Sequence, residues 1–213
     1  MGRMGDRTES FDAYLREWRA LHPARDGVAT RIAAAYLRIP YALAGPLVRV
    51  SPNVVTLAGL LAAVATIPAY RVRALAALLV LTAGVLDSVD GAVALRRGRV
   101  TTFGAVWDST ADRLADVALL VGPALHRPGA AFAAAGAGTF LLEYIRARCQ
   151  AVGLTGEQRV TPGERPTRIV VLAVAAATGW WTYGAWTVAA LTLAGAALLL
   201  RDARARPTTP ASG

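Results

Sequence analysis

Lysine is absent from this 213-residue chain, and all 23 of its basic residues are arginine. A GC-rich coding bias accounts for that skew as a whole. The better fit of a guanidinium to phosphate bears only on particular arginines. Cysteine occurs once, as Cys149, so no internal disulfide is expected and nothing points to an oxidising compartment. Acidic residues are few, 14 in all, which leaves a formal net charge of +9. The first fifty residues alternate charged and apolar types and lack an uninterrupted apolar core, which argues against a cleavable signal peptide. A separate soluble basic domain is missing too, so no nucleic-acid partner is expected.

What the chain has in quantity is apolar surface. Apolar residues make up 55% of it and the mean hydropathy is +0.42. They fall in runs, not in the scattered pattern of a soluble helix, which predicts an all-α polytopic membrane protein. Six transmembrane helices are expected near 54–70, 74–95, 105–125, 129–148, 168–183 and 184–201. The run ALAALLVLTAGVL (74–86) is too short to cross alone, since a span needs about 20 residues. Extending it through Leu95 draws Asp87 and Asp90 inside the helix, toward one end. The third span opens in the same way, with Asp108, Asp112 and Asp116 ahead of VALLVGPALH.

With both termini on one side, only Arg71, Arg73 and Arg127 fall on the other. That asymmetry predicts cytoplasmic termini in a multi-pass protein of the inner (plasma) membrane, with the carboxylate-bearing helix ends cytoplasmic as well. Residues 1–27 read as a polar cytoplasmic segment, flexible or loosely helical. Residues 28–50 read as an amphipathic interfacial helix, bent near Pro40 and interrupted by Arg31, Arg38 and Arg49. Residues 51–202 hold the six-helix domain, and 203–213 form a disordered tail. Trp180, Trp181, Tyr183 and Trp186 are expected as interfacial anchors. The Gly- and Ala-rich fourth span is expected to serve close helix packing.

Ionisable residues within a membrane helix are expensive and usually face the bundle interior or a wet cavity. Asp87 and Asp90 are spaced i, i+3, and Asp108 and Asp112 i, i+4, so each pair lies on one helix face. The short connection 96–104 predicts antiparallel neighbouring helices with both pairs at similar depth. Four converging carboxylates repel unless a cation lies between them. Oxygen-only ligands favour Mg²⁺, Mn²⁺ or Ca²⁺, in a site with room for two ions. The plainer alternative is a set of Asp–Arg ion pairs using Arg96, Arg97, Arg99 and Arg113. Asp116 is expected to pair with Arg113 three residues earlier. Glu143, deeper in the fourth span, is a further candidate because its burial is costly.

These residues resemble the signature of the CDP-alcohol phosphatidyltransferase family, Asp-x2-Asp-Gly-x2-Ala-Arg-x8-Gly-x3-Asp-x3-Asp. Asp87, Asp90, Gly91, Ala94, Gly104, Asp108 and Asp112 stand at its spacings, and Leu95 stands where the family has Arg. The stretch SPNVVTLAGLL resembles the family's opening segment. YIRARCQAVGL and GERPTR resemble the acceptor-side segments of actinobacterial members that make phosphatidylinositol phosphate or phosphatidylglycerol phosphate.

The resemblance implies transfer of a phosphatidyl group from CDP-diacylglycerol to a small alcohol, often phosphorylated, with release of CMP. It implies Mg²⁺ or Mn²⁺, two ions, held by Asp87, Asp90, Asp108 and Asp112, with Asp112 also the general base. Asn53, Thr56, Gly91, Ala94 and Gly104 would face the nucleotide, although a helix cap at Asn53 serves equally well. Arg146, Arg148, Arg165 and Arg168 would bind the acceptor phosphate, with Glu164 orienting Arg165; ordinary positive-inside anchoring is the competing reading of these arginines. The resemblance also implies a homodimer. Two other functions compete: a cation or metabolite transporter using the same carboxylates, and a family member altered in catalysis through Leu95.

Overall fold

The computed structural model describes residues 11, 15–16, 28–98, 101–154 and 160–205. Most of the polar 1–27 segment, Arg99 and the tail beyond 205 lie outside the described residues. Within them the chain forms seven α-helices and no strand: α1 (Val28–Leu47), α2 (Pro52–Ala69), α3 (Arg73–Arg96), α4 (Thr102–His126), α5 (Ala130–Ala151), α6 (Arg165–Thr178) and α7 (Trp181–Ala205).

The helix ends follow local chemistry. Ser51 is extended and Pro52 opens α2, where a missing N–H costs nothing. Gly98, at φ 58°, closes α3 in a conformation that favours glycine. The Thr101 hydroxyl accepts the Gly104 N–H at 3.0 Å and caps α4. Gly179, at φ 79°, ends α6 and turns the chain into α7. The fifth run therefore stops at Thr178, not 183, and the sixth starts at Trp181, not 184. Helix α7 also runs through Ala205, into the segment expected as tail.

Among the described residues α2, α3 and α7 are long and apolar enough to cross a membrane. Helix α4 is continuous, but Asp108, Asp112, Arg113 and Asp116 interrupt its apolar run. Helix α6 has 14 residues, a rise of about 21 Å against a hydrocarbon core of about 30 Å.

Helix α2 packs extensively on both α3 and α4, while α3 and α4 touch only sparsely. The short connection was expected to make those two direct neighbours. They are instead splayed, with their carboxylates facing the gap. Helix α6 packs on α3, and α5 packs along α7. A Cβ added at Gly138 of α5 would come 2.4 Å from Thr192 Oγ1 of α7, so the small residues of that run do permit close approach. Trp181 departs from expectation: it is 4% exposed and joins the main apolar cluster, whereas Trp180, Tyr183 and Trp186 are exposed. On α1, Leu37, Pro40 and Ala44 are buried while Arg38, Ile39 and Leu43 are exposed.

Candidate active site

The gap between α3 and α4 gathers the acidic residues. Oxygens of Asp87, Asp108 and Asp112 all lie within 4.8 Å of one another. Asp90 is more deeply buried, 4% exposed. It accepts a hydrogen bond from the Thr56 hydroxyl at 2.5 Å and one from the Gly91 N–H at 2.6 Å. Three hard oxygen donors at this spacing fit a divalent cation such as Mg²⁺ or Mn²⁺.

Arginines close the site from the α6 side. Arg165, the first residue of α6, pairs through Nη1 with both Asp87 and Asp112. One turn on, Arg168 is 2% exposed. It donates to Asp116 at 3.2 Å, Glu143 at 3.1 Å and the Gly163 carbonyl at 2.8 Å. Arg113 reaches Asp116 at 3.3 Å, as its i, i+3 spacing predicts, and also Glu143 at 3.4 Å and Asp112 at 3.7 Å. Arg146 lies 3.4 Å from Glu143 and 2.6 Å from Glu164. Glu143 thus joins arginines of α4, α5 and α6.

Several sequence candidates stand differently from expectation. Glu164 accepts from Arg146 and from the Thr161 N–H at 2.9 Å, so it orients Arg146 and not Arg165. Ser51 holds the N-cap position of α2 without a side-chain capping bond, so Asn53, inside the helix, is not its N-cap; the Asn53 Oδ1 faces Gly104, 3.6 Å from where a Cβ there would sit. Beside Gly91 a Cβ would meet only open space, and Ala94 is half-buried on the next turn. Arg148 is exposed on α5 and joins none of these ion pairs. Arg96 donates to the Tyr41 carbonyl at 3.1 Å and Arg97 to the Val50 carbonyl at 2.9 Å. Both bind the backbone beside α3, and among the described residues neither forms an ion pair with a carboxylate. Leu95 packs against the apolar cluster of Leu37, Ala44, Val55 and Val89. The role of Arg113 as a bridge to Glu143 has no signal in the sequence, because the two lie thirty positions apart on different helices, α4 and α5.

Fold and site together define a helical membrane protein whose centre is an oxygen-donor cluster ringed by arginine. The CDP-alcohol phosphatidyltransferase profile matches residues 49–201. The chain is 36% identical over 183 residues to an archaetidylinositol phosphate synthase of Aeropyrum pernix, covering 81% of this chain and 91% of that one. It is 35% identical over 158 residues to a phosphatidylinositol phosphate synthase of Mycolicibacterium smegmatis, covering 69% and 70%. Among solved structures, Mycobacterium tuberculosis phosphatidylinositol phosphate synthase with CDP-DAG bound aligns at a TM-score of 0.66 and 29% identity, over 80% of this chain and 96% of that one. The same enzyme in complex with manganese and citrate also aligns at 0.66 and 29%, over 79% and 90%. The chain belongs to the CDP-alcohol phosphatidyltransferase family and is a transferase.

Proposed function

We propose that this chain transfers a phosphatidyl group from CDP-diacylglycerol to a hydroxyl of a small phosphorylated polyol, with inositol phosphate the first candidate. The observation that carries this reading is the convergence of Asp87, Asp108 and Asp112 beside a set of arginines on α4, α5 and α6. The named relatives support the polyol phosphate. The arginine asymmetry of the loops supports six spans, an interfacial α1, and termini and site on the cytoplasmic face of the plasma membrane.

In this reading Asp87, Asp90, Asp108 and Asp112 hold divalent cations, which when bound neutralise the diphosphate and stabilise the charge on the departing CMP. Thr56 fixes the Asp90 carboxylate by a hydrogen bond from α2. Asp112 takes the proton from the acceptor hydroxyl. The acceptor oxygen bonds to the phosphorus attached to diacylglycerol, the diphosphate P–O bond breaks, and CMP leaves with that oxygen. Gly91 lets the nucleotide approach the α3 backbone, with Ala94, Gly104 and Asn53 completing that wall. Arg146 and Arg165 lie nearest for an acceptor phosphate, positioned by Glu164 and by the start of α6. Arg168 acts through Glu143 and Asp116 as a positioning residue, and Arg148 lies at the outer rim.

Purified protein incubated with CDP-diacylglycerol, Mn²⁺ or Mg²⁺ and a panel of polyols, with lipid products weighed by mass spectrometry, tests the assignment. A phosphatidyl polyol phosphate with stoichiometric CMP supports it. Product formed only from unphosphorylated alcohols refutes the phosphorylated acceptor.

A further inference from the structure

Arg165 is lodged among the carboxylates and not in an anion pocket. Its Nη1 takes Asp87 Oδ1 and Asp112 Oδ1 together, and those two residues with Asp108 form the candidate cation cluster. A metal ion entering among these carboxylates meets the guanidinium's like charge, so the two cations compete for Asp87 and Asp112. The other cations of the network lean mainly elsewhere: Arg168 on Asp116 and Glu143, Arg146 on Glu143 and Glu164, and Arg113 on Asp116 and Glu143 with a longer 3.7 Å contact to Asp112. Glu164, beside Arg165 in sequence, is taken up by Arg146 and Thr161. The Arg165 Nε is buried with no hydrogen-bond partner, as are those of Arg113 and Arg168, so the ion pairs of Arg165 run through Nη1. The side chain projects from the first residue of α6.

We propose that Arg165 is a built-in counter-cation: it neutralises Asp87 and Asp112 until a divalent cation displaces it, and the displaced guanidinium is then released to bind the phosphate of the acceptor. Metal and anionic acceptor thereby bind cooperatively, each favouring the state in which Arg165 has left the carboxylates. The second half of this rests on the transferase reading above; the competition for Asp87 and Asp112 rests on the carboxylate geometry alone.

The test is Mn²⁺ binding to the purified full-length chain in nanodiscs, read from the EPR signal of free Mn²⁺. Removing the competing charge in Arg165→Gln should tighten Mn²⁺ binding on the order of tenfold, while Arg201→Gln, an exposed arginine of α7, leaves it unchanged. Arg165→Lys, which keeps a cation at the position, should stay near the parent affinity. In EDTA the Arg165→Gln protein should melt below the parent and recover on adding Mn²⁺. Equal or weaker Mn²⁺ affinity in Arg165→Gln overturns the proposal, as does an equal gain in Arg201→Gln. Should Arg165→Gln not fold in EDTA, refolding on Mn²⁺ supports the proposal, and failure to fold with Mn²⁺ present overturns it. No arm depends on CMP release, so a failed transferase assay and a failed displacement are told apart.

Discussion

Arg168 is 2% exposed and shares Asp116, itself 8% exposed, with Arg113. Removing Arg168 leaves Asp116 with Arg113 as its one remaining cation among the described residues and strips Glu143 and the Gly163 carbonyl of a partner, at a cost of about 2–4 kcal/mol, since the charge is only partly stranded. Arg168→Met is therefore expected to lower the melting temperature sharply, and the double variant Asp116→Asn, Arg168→Met to recover part of the loss; a double variant no more stable than the single one would sink the pairing argument. Asp112 carries a different expectation. Replacing it by Asn keeps the shape and removes the base, so CMP release should fall by on the order of 10²–10⁴ while the protein still purifies folded. At this scale the acidic residues were legible because helical periodicity puts i, i+3 and i, i+4 residues on one face. Their cationic partners were only partly so. Arg113 to Asp116 is local, whereas Arg168 to Asp116 and Arg165 to Asp87 join residues far apart in sequence, and no periodicity encodes that.

Among the helices, the contact of α5 with α7 depends on Gly138. An added Cβ there lies 2.4 Å from Thr192 Oγ1 but 3.5 Å from Thr192 Cβ. Gly138→Ala should destabilise the protein, and Thr192→Ala should restore most of the loss by removing the offending oxygen. Thermal unfolding of the two single variants and the double variant measures this as a coupling; simple additivity would show that the contact is not the cause. The helices themselves could be read from apolar runs and breakers, and most ends fall within a few residues of expectation. The α6–α7 boundary was misread because Trp180 to Trp186 looked like a membrane-interface belt. Trp181 is instead a core residue, and the break comes at Gly179, whose positive φ a composition pattern does not reveal. The splay of α3 from α4 was hidden for a related reason: a short loop fixes which helices are consecutive, but not which third helix wedges against them.

For the whole molecule, the central claim is that buried carboxylates and surrounding arginines serve a divalent-dependent transfer and not a cation path through the membrane. Family membership and the general class of site were accessible because one ungapped signature, Asp87 to Asp112, holds the four carboxylates proposed to bind metal. The arginine side of the site is assembled from three helices and emerges only in three dimensions. The most direct measurement is CMP release by purified protein in liposomes containing CDP-diacylglycerol, with inositol phosphate added, in Mn²⁺ and in EDTA. Mn²⁺-dependent CMP release matched one-for-one by phosphatidylinositol phosphate, and abolished in Asp112→Asn, is the result expected. Movement of Mn²⁺ across the liposome membrane without any CMP release, across the whole polyol panel, would contradict it.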